Sequence, residues 1–178
     1  MAVSTWNIDA SHSAIAFSVR HMVVSKTRGR FTKFTGQIRL DPDLPGASSV
    51  EVSIDPSSID TADEQRDAHL RSADFFDVEK FPAASFRSTV VEDLGGDKYR
   101  IIGDLTVHGV TRSVVLHATY EGSGKDPWGG ERAGFSANTQ IKRSRFGLTW
   151  NQLLEAGGVT VGDDIKIAID IELLRVKE

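Results

Sequence analysis

Residues 165–173 read IKIAIDIEL: Ile165, Ile167, Ile169, Ile171 and Leu173 alternate without a fault with Lys166, Ala168, Asp170 and Glu172. A period of two over nine residues marks a strand with one face on an apolar interior and the other in water. A helix would scatter the five aliphatic side chains around its circumference. Working back from this strand, the same alternation recurs seven times. Ser13 to His21 places Ile15, Phe17, Val19 and His21 on one face. Gly29 to Asp41 forms another strand, in which Phe31 and Phe34 differ in parity, so a bulge or bend near Lys33 is needed to bring both inward. Val50, Val52 and Ile54 follow, then Ala84, Phe86, Ser88 and Val90. Next come Tyr99, Ile101, Gly103, Leu105 and Val107, then Val114, Leu116, Ala118 and Tyr120. Ala133, Phe135, Ala137, Thr139 and Ile141 complete the set.

The punctuation is that of hairpins. Leu94-Gly95-Gly96-Asp97 and His108-Gly109 supply positive φ for tight turns, Pro42, Pro45 and Gly46 break the chain, and Gly122 to Gly130 reads as a long loop at an open end. Eight alternating strands on short turns predict an all-β, antiparallel structure. Closure into a barrel is expected over a sandwich because it removes apolar edge strands.

One stretch departs from this pattern. Thr61 to Phe76 (TADEQRDAHLRSADFF) reads as a helix, entered through a capping box of Thr61 and Glu64, with Leu70, Ala73 and Phe76 as a narrow apolar stripe. A lone helix builds no core, so it is expected as a lid across the open end of the barrel.

The 178 residues suit a single domain, 1–178, with a core of its own. A net charge of −4 argues against nucleic acid as a partner, and no apolar run is long enough to span a membrane. No basic and apolar leader follows Met1, so cytoplasmic residence is expected. With zero cysteines, disulfides, thiolate metal sites and thiol catalysis are excluded.

The inward rows mix large residues (Phe17, Phe34, Phe86, Phe135, Ile169) with small ones (Gly36, Ala84, Gly103, Ala118, Ala137). An eight-stranded barrel is either just filled by its side chains or holds one small ligand. Both readings stand on the residues alone. Catalytic signatures are absent: there is no Gly-x-Ser-x-Gly elbow, no His-Glu-x-x-His helix and no phosphate-binding loop. Of the five histidines, His108 reads as a turn residue, His117 as a surface residue and His21 as the end of an inward row. His12 and His69 could flank one end, but no metal is expected. Lys142, Arg143 and Arg145, beside Phe146 and Trp150, read as a solvated basic loop or as a site for a polar or anionic headgroup.

Taken together, Trp6-Asn7-Ile8-Asp9 with His12-Ser13, Gly29-Arg30-Phe31, Asp67-Ala68-His69-Leu70, Asp74-Phe75-Phe76-Asp77 with Phe81-Pro82, Gly103 to Thr111 and Arg145-Phe146-Gly147-Leu148 resemble the YceI-like family of polyisoprenoid-binding proteins. The resemblance implies a lipocalin-like eight-stranded antiparallel β-barrel with one helix near the opening. It also implies an apolar tunnel holding an isoprenoid-type lipid or a quinone-like molecule, with no other cofactor and no catalysis. The wall is then expected from Ile15, Phe17, Val19, His21, Phe34, Phe86, Leu105, Val107, Phe135, Ala137, Ile167 and Ile169, and the headgroup contacts from His69, Arg145 and Trp150. Two alternatives are carried along: an enzyme that modifies such a lipid through His21 or His69, and a filled barrel used for protein contact. A homodimer is left open.

Overall fold

The computed structural model describes residues 2–22, 24–152 and 160–178. Its sheet has eleven strands: β1 (Ser4–Ile8), β2 (Ala14–His21), β3 (Ser25–Phe31), β4 (Phe34–Leu40), β5 (Ser49–Ile54), β6 (Ile59–Asp60), β7 (Ala84–Gly95), β8 (Lys98–Val107), β9 (Val110–Lys125), β10 (Glu131–Lys142) and β11 (Val161–Arg175). Eight of them, in the order β1, β4, β5, β7, β8, β9, β10, β11, close on themselves because β11 pairs back onto β1. The expected eight-stranded antiparallel barrel is therefore present, with a different membership. The N-terminal strand β1 enters the ring, and the Ser13 to His21 strand lies outside it.

Strand β11 explains how. Its free edge is shared: Leu173 to Arg175 pair with β1, whereas Val161 to Asp170 pair with β2. Between β1 and β2 the chain makes a short turn at Ala10–His12, capped by Asp9. Below that turn β1 bonds to β4. Above it β2 bonds to β3, and β3 to β6. The barrel is thus sealed in one half and carries a three-stranded flap in the other. The stretch from Gly29 to Asp41 is two strands that diverge at Thr32 and Lys33, which is how Phe31 and Phe34 both face inward despite their parity.

Two further expectations are corrected. A bulge between Ser88 and Val90 shifts the register, so that Val91 faces in and Val90 is exposed. Strand β9 runs on to Lys125, leaving a loop of only five residues in which Asp126 accepts hydrogen bonds from the amides of Trp128 and Gly130. The turn at His108 and Gly109 is as expected. Both residues have positive φ, the two-residue form whose twist matches the flanking strands.

The helix, α1, spans Glu64–Arg71, half the expected length. Its N-cap is Asp63, whose carboxylate accepts from the Arg66 amide at 3.0 Å. Thr61, expected at that post, is buried and donates its amide and hydroxyl to Asp67 at 2.9 and 2.5 Å. From Ser72 to Phe81 the chain continues as hydrogen-bonded turns that carry Phe75 and Phe76 against the flap and the site. No helix among the described residues is long and apolar enough to cross a membrane.

A cavity barrel and its buried arginine

The inward rows enclose a cavity of about 1090 Å³. This space explains a pattern that a filled core would not give. Along β11, Ile165, Ile167, Ile169 and Ile171 point inward but are only half-buried, while Lys166, Ala168 and Asp170 are exposed. Phe17, Val19, Leu105, Val107, Phe135 and Ala137 are likewise half-buried on the inner face. Their residual exposure is to the hollow. Inward residues from Ile165 to Leu173 cover roughly 26 Å of strand at 3.3 Å per residue, so the apolar wall is long as well as wide.

Gly36 and Gly103, small members of the inward rows, contribute none of this room. A Cβ at Gly36 would lie 2.4 Å from Ile8 Cδ1, and one at Gly103 would lie 2.5 Å from the Phe86 ring. These glycines let large neighbours lie flat on the sheet. Ala137 does line the cavity, as expected.

Of the twelve expected wall residues, ten line it: Ile15, Phe17, Val19, Phe86, Leu105, Val107, Phe135, Ala137, Ile167 and Ile169. Phe34 is buried on the same face without reaching the cavity, and His21 sits half-buried at the end of β2, away from the wall. Strands β1 and β4 add Trp6, Ile8, Ile38 and Leu40, which the sequence reading left out.

The polar end differs more. Among Lys142, Arg143 and Arg145, the residue on the cavity wall is Arg143. A short turn at Arg143–Phe146, ended by Gly147 at φ 76°, rolls Arg143 and Phe146 inward and leaves Arg145 exposed. Arg143 is 6% exposed. Its Nε donates to the Gly162 carbonyl at 2.8 Å, Nη1 to the carbonyls of Leu148 (2.7 Å) and Trp150 (2.9 Å), and Nη2 to that of Val161 (3.2 Å). A guanidinium has five N–H groups, and the described residues take up four of them, leaving one on Nη2. Among the described residues no carboxylate lies within ion-pair distance of it. Burial holds Arg143 below the ordinary guanidinium range, with Asp163 pulling the other way. Asp163 itself accepts from the Ser144 amide and hydroxyl. Among the described residues, then, the buried positive charge on the cavity wall is held by carbonyl dipoles.

Phe75 lies 5.9 Å from this guanidinium. His69 and Trp150 pack edge to face at 4.6 Å and both touch Phe75, so these two expected headgroup residues stand behind the wall and not on it. His69 Nε2 is 2.8 Å from Asp74. His12 belongs to a separate group. Asp9, His12 and Glu172 bring one ligand atom each within 4.8 Å, but Arg132 Nη1 bonds to Asp9 and Glu172 at 2.7 Å each, so a guanidinium already fills the place of a cation.

An antiparallel barrel that encloses a long apolar cavity, with a helix beside one end and, among the described residues, one buried cation in its wall, is of the lipocalin-like class. Within that class the chain belongs to the YceI-like family, whose model, the YceI-like domain, matches residues 6–173. A UPF0312 protein of Vibrio cholerae is 45% identical over 138 residues, 78% of this chain and 73% of that protein. The crystal structure of BcnA from Burkholderia cenocepacia superposes with a TM-score of 0.82 at 27% identity, covering 93% of this chain and 98% of that one. A polyisoprenoid binding domain from Saccharophagus degradans has the same fold, with a TM-score of 0.68 at 16% identity over 97% of this chain and 99% of that one.

Proposed function

We propose that this protein binds one long apolar lipid, isoprenoid or quinone-like, within the barrel and holds it without chemical change, its polar end towards Arg143. The observation that carries the reading is the half-exposed inner row around a hollow of about 1090 Å³, at the upper end of ordinary ligand pockets. Each buried CH₂ contributes roughly 0.8 kcal/mol, so a long chain binds tightly even after the cost of ordering it. Arg143, a buried cation whose partners among the described residues are carbonyls, favours a carbonyl, phosphate or hydroxyl at the end of that chain. The likeness in fold to a polyisoprenoid binding domain supports the ligand class. His21 and His69, the bases an enzyme would call upon, both stand off the cavity wall, which favours holding over turnover.

The experiment fills the cavity. Ala137→Phe is expected to change the thermal midpoint little in lipid-free protein, because added bulk enters empty space, and to weaken uptake of a fluorescent polyprenyl or quinone-like probe at least tenfold. In a packed interior the same change would cost about 1–3 kcal/mol. A parent protein that takes up no probe, together with that loss of stability, would reject the reading. Conversion of the bound probe to product would replace holding by catalysis.

A further inference from the structure

The flap that completes the upper half of the barrel has two unlike faces. The inner face carries Phe17, Val19 and Phe31 onto the cavity wall. The outer face is cationic. On β3 the exposed residues are Ser25, Lys26, Arg28 and Arg30, and Lys33 follows at the corner; Lys166 on β11, opposite Ser18, stands between Asp164 and Asp170 on its own outward row. Arg30 reaches Asp60 at 3.5 Å with both side chains largely in water, a pairing of little strength. In a chain whose net charge is −4, this grouping is against the overall balance. The hairpin joining β2 to β3 adds the second half of the pattern: Met22 is 45% exposed, and Val24 is 85% exposed. An apolar tip flanked by lysine and arginine is the combination that settles at a bilayer interface, the apolar groups entering the headgroup boundary and the cations meeting anionic lipid.

We propose that the β2–β3 hairpin docks this protein on an anionic phospholipid surface, which brings the flap wall of the cavity against the bilayer from which a lipid would enter. Charge complementarity selects this occupant. A single-stranded nucleic acid would call for exposed aromatic rings on which bases stack, and the outer faces of β2 and β3 present none, their phenylalanines being turned inward. The opposite end of the barrel has the more exposed aromatic, Trp128 at 83%, but the charges beside it are already joined in pairs, Asp126 with Arg132 and Glu131 with Arg175.

Docking is read without reference to what the cavity holds, so its failure and that of the lipid-binding reading are distinguishable. The full-length protein is floated with vesicles of phosphatidylcholine alone and with vesicles containing one third phosphatidylglycerol, at low and at high salt. The expected result is binding to the anionic vesicles only, lost at high salt as the charges are screened. The double variant Lys26→Glu/Arg28→Glu, on exposed positions that leave the thermal midpoint unchanged, lowers the partition coefficient about thirtyfold or more, at roughly fivefold for each cation lost. Because the chain has no cysteine, Val24→Cys and Trp128→Cys each take a single environment-sensitive dye. The dye at position 24 shifts to the blue on anionic vesicles, and that at position 128 does not. Equal binding to both vesicle types, indifference to the charge reversal, a response confined to position 128, or tighter binding to polyuridylate than to vesicles would each overturn the proposal.

Discussion

The two halves of the barrel solve the same problem, how to end a sheet, in opposite ways. In the sealed half β4, β1, β11 and β10 lie side by side, and their inner faces pack Trp6, Ile38, Ala133 and Leu173 into an apolar cluster, with Leu173 only 1% exposed. Outside it, Arg132 is held by three carboxylates: Asp9, Asp126 and Glu172. In the flap half the strands stop at the two-residue β6, the inner faces look onto a hollow, and the one buried cation, among the described residues, is held by carbonyls. Charge pairing on the outside and apolar packing within make a seam. Dipoles around a charge, with space within, make a site. The difference teaches that one barrel can brace its wall by ion pairs on one side and by a buried cation on the other, while both sides line the same cavity.

The sharpest way to break this contrast is Arg143→Met. The carbonyls of Gly162, Leu148 and Trp150 lose the guanidinium, and that of Val161 keeps only Asn151, so stability is expected to fall by about 3 kcal/mol or more, measured by urea unfolding. A loss under about 1 kcal/mol would mean that the turn at Arg143–Phe146 holds without its guanidinium, and the site half would then be as self-sufficient as the seam. Arg132→Met should act in the other half, lowering the thermal midpoint by a few degrees at neutral pH. Asp9 lies well below the usual carboxylate range through its bonds with Ser11, His12 and Arg132, and Asp126 is lowered by the Gly130 amide and by Arg132. Groups depressed in this way contribute stability that is present above the ordinary carboxylate pKa and lost as pH falls below it. The variant and its parent should therefore converge between about pH 4 and pH 2, and a constant gap over that interval would argue that Arg132 acts through packing. The smallest effect sharpens the helix: Asp63→Ala should cost about 1 kcal/mol and speed amide exchange in α1, residues Glu64–Arg71, while the seam strands keep their protection. Unchanged exchange in α1 would remove Asp63 from its cap.

What could be read beforehand follows from what each segment does. Strands β8, β10 and β11 have a complete apolar row on a continuous face, and period two is then unmistakable. Strand β1 offers STWNI, in which Trp6 alone declares a buried side, and its place in the ring is set by pairing with residues some 170 positions away, beyond any local pattern. Strand β3 hides for a different reason: Lys26, Arg28 and Arg30 dominate its composition, and its inner residues, Thr27, Gly29 and Phe31, are too mixed to register as a row. The wall was legible because a lipid wall and a core strand look alike. Arg143 was not, since the choice among three neighbouring cations depends on a short turn and on the left-handed Gly147 that ends it, and no periodicity marks either. Thr61 followed by Glu64 mimicked a capping box, but the positive φ of Ala62 swings the chain so that Asp63 takes the post and Thr61 is buried.

The closing pair of the ring, Trp6 against Arg175, has a consequence for how the molecule comes into being. The strand made first waits for the strand made last. During synthesis β1 and the lower half of β4 expose an edge and a tryptophan with no partner until β11 leaves the ribosome, and the pairings of greatest sequence separation form latest and slowest. The nascent barrel is therefore an open, aggregation-prone sheet for most of its translation. A circular permutant that joins the two ends and opens the exposed loop at Trp128 is therefore expected to refold faster than its parent, measured by stopped-flow fluorescence.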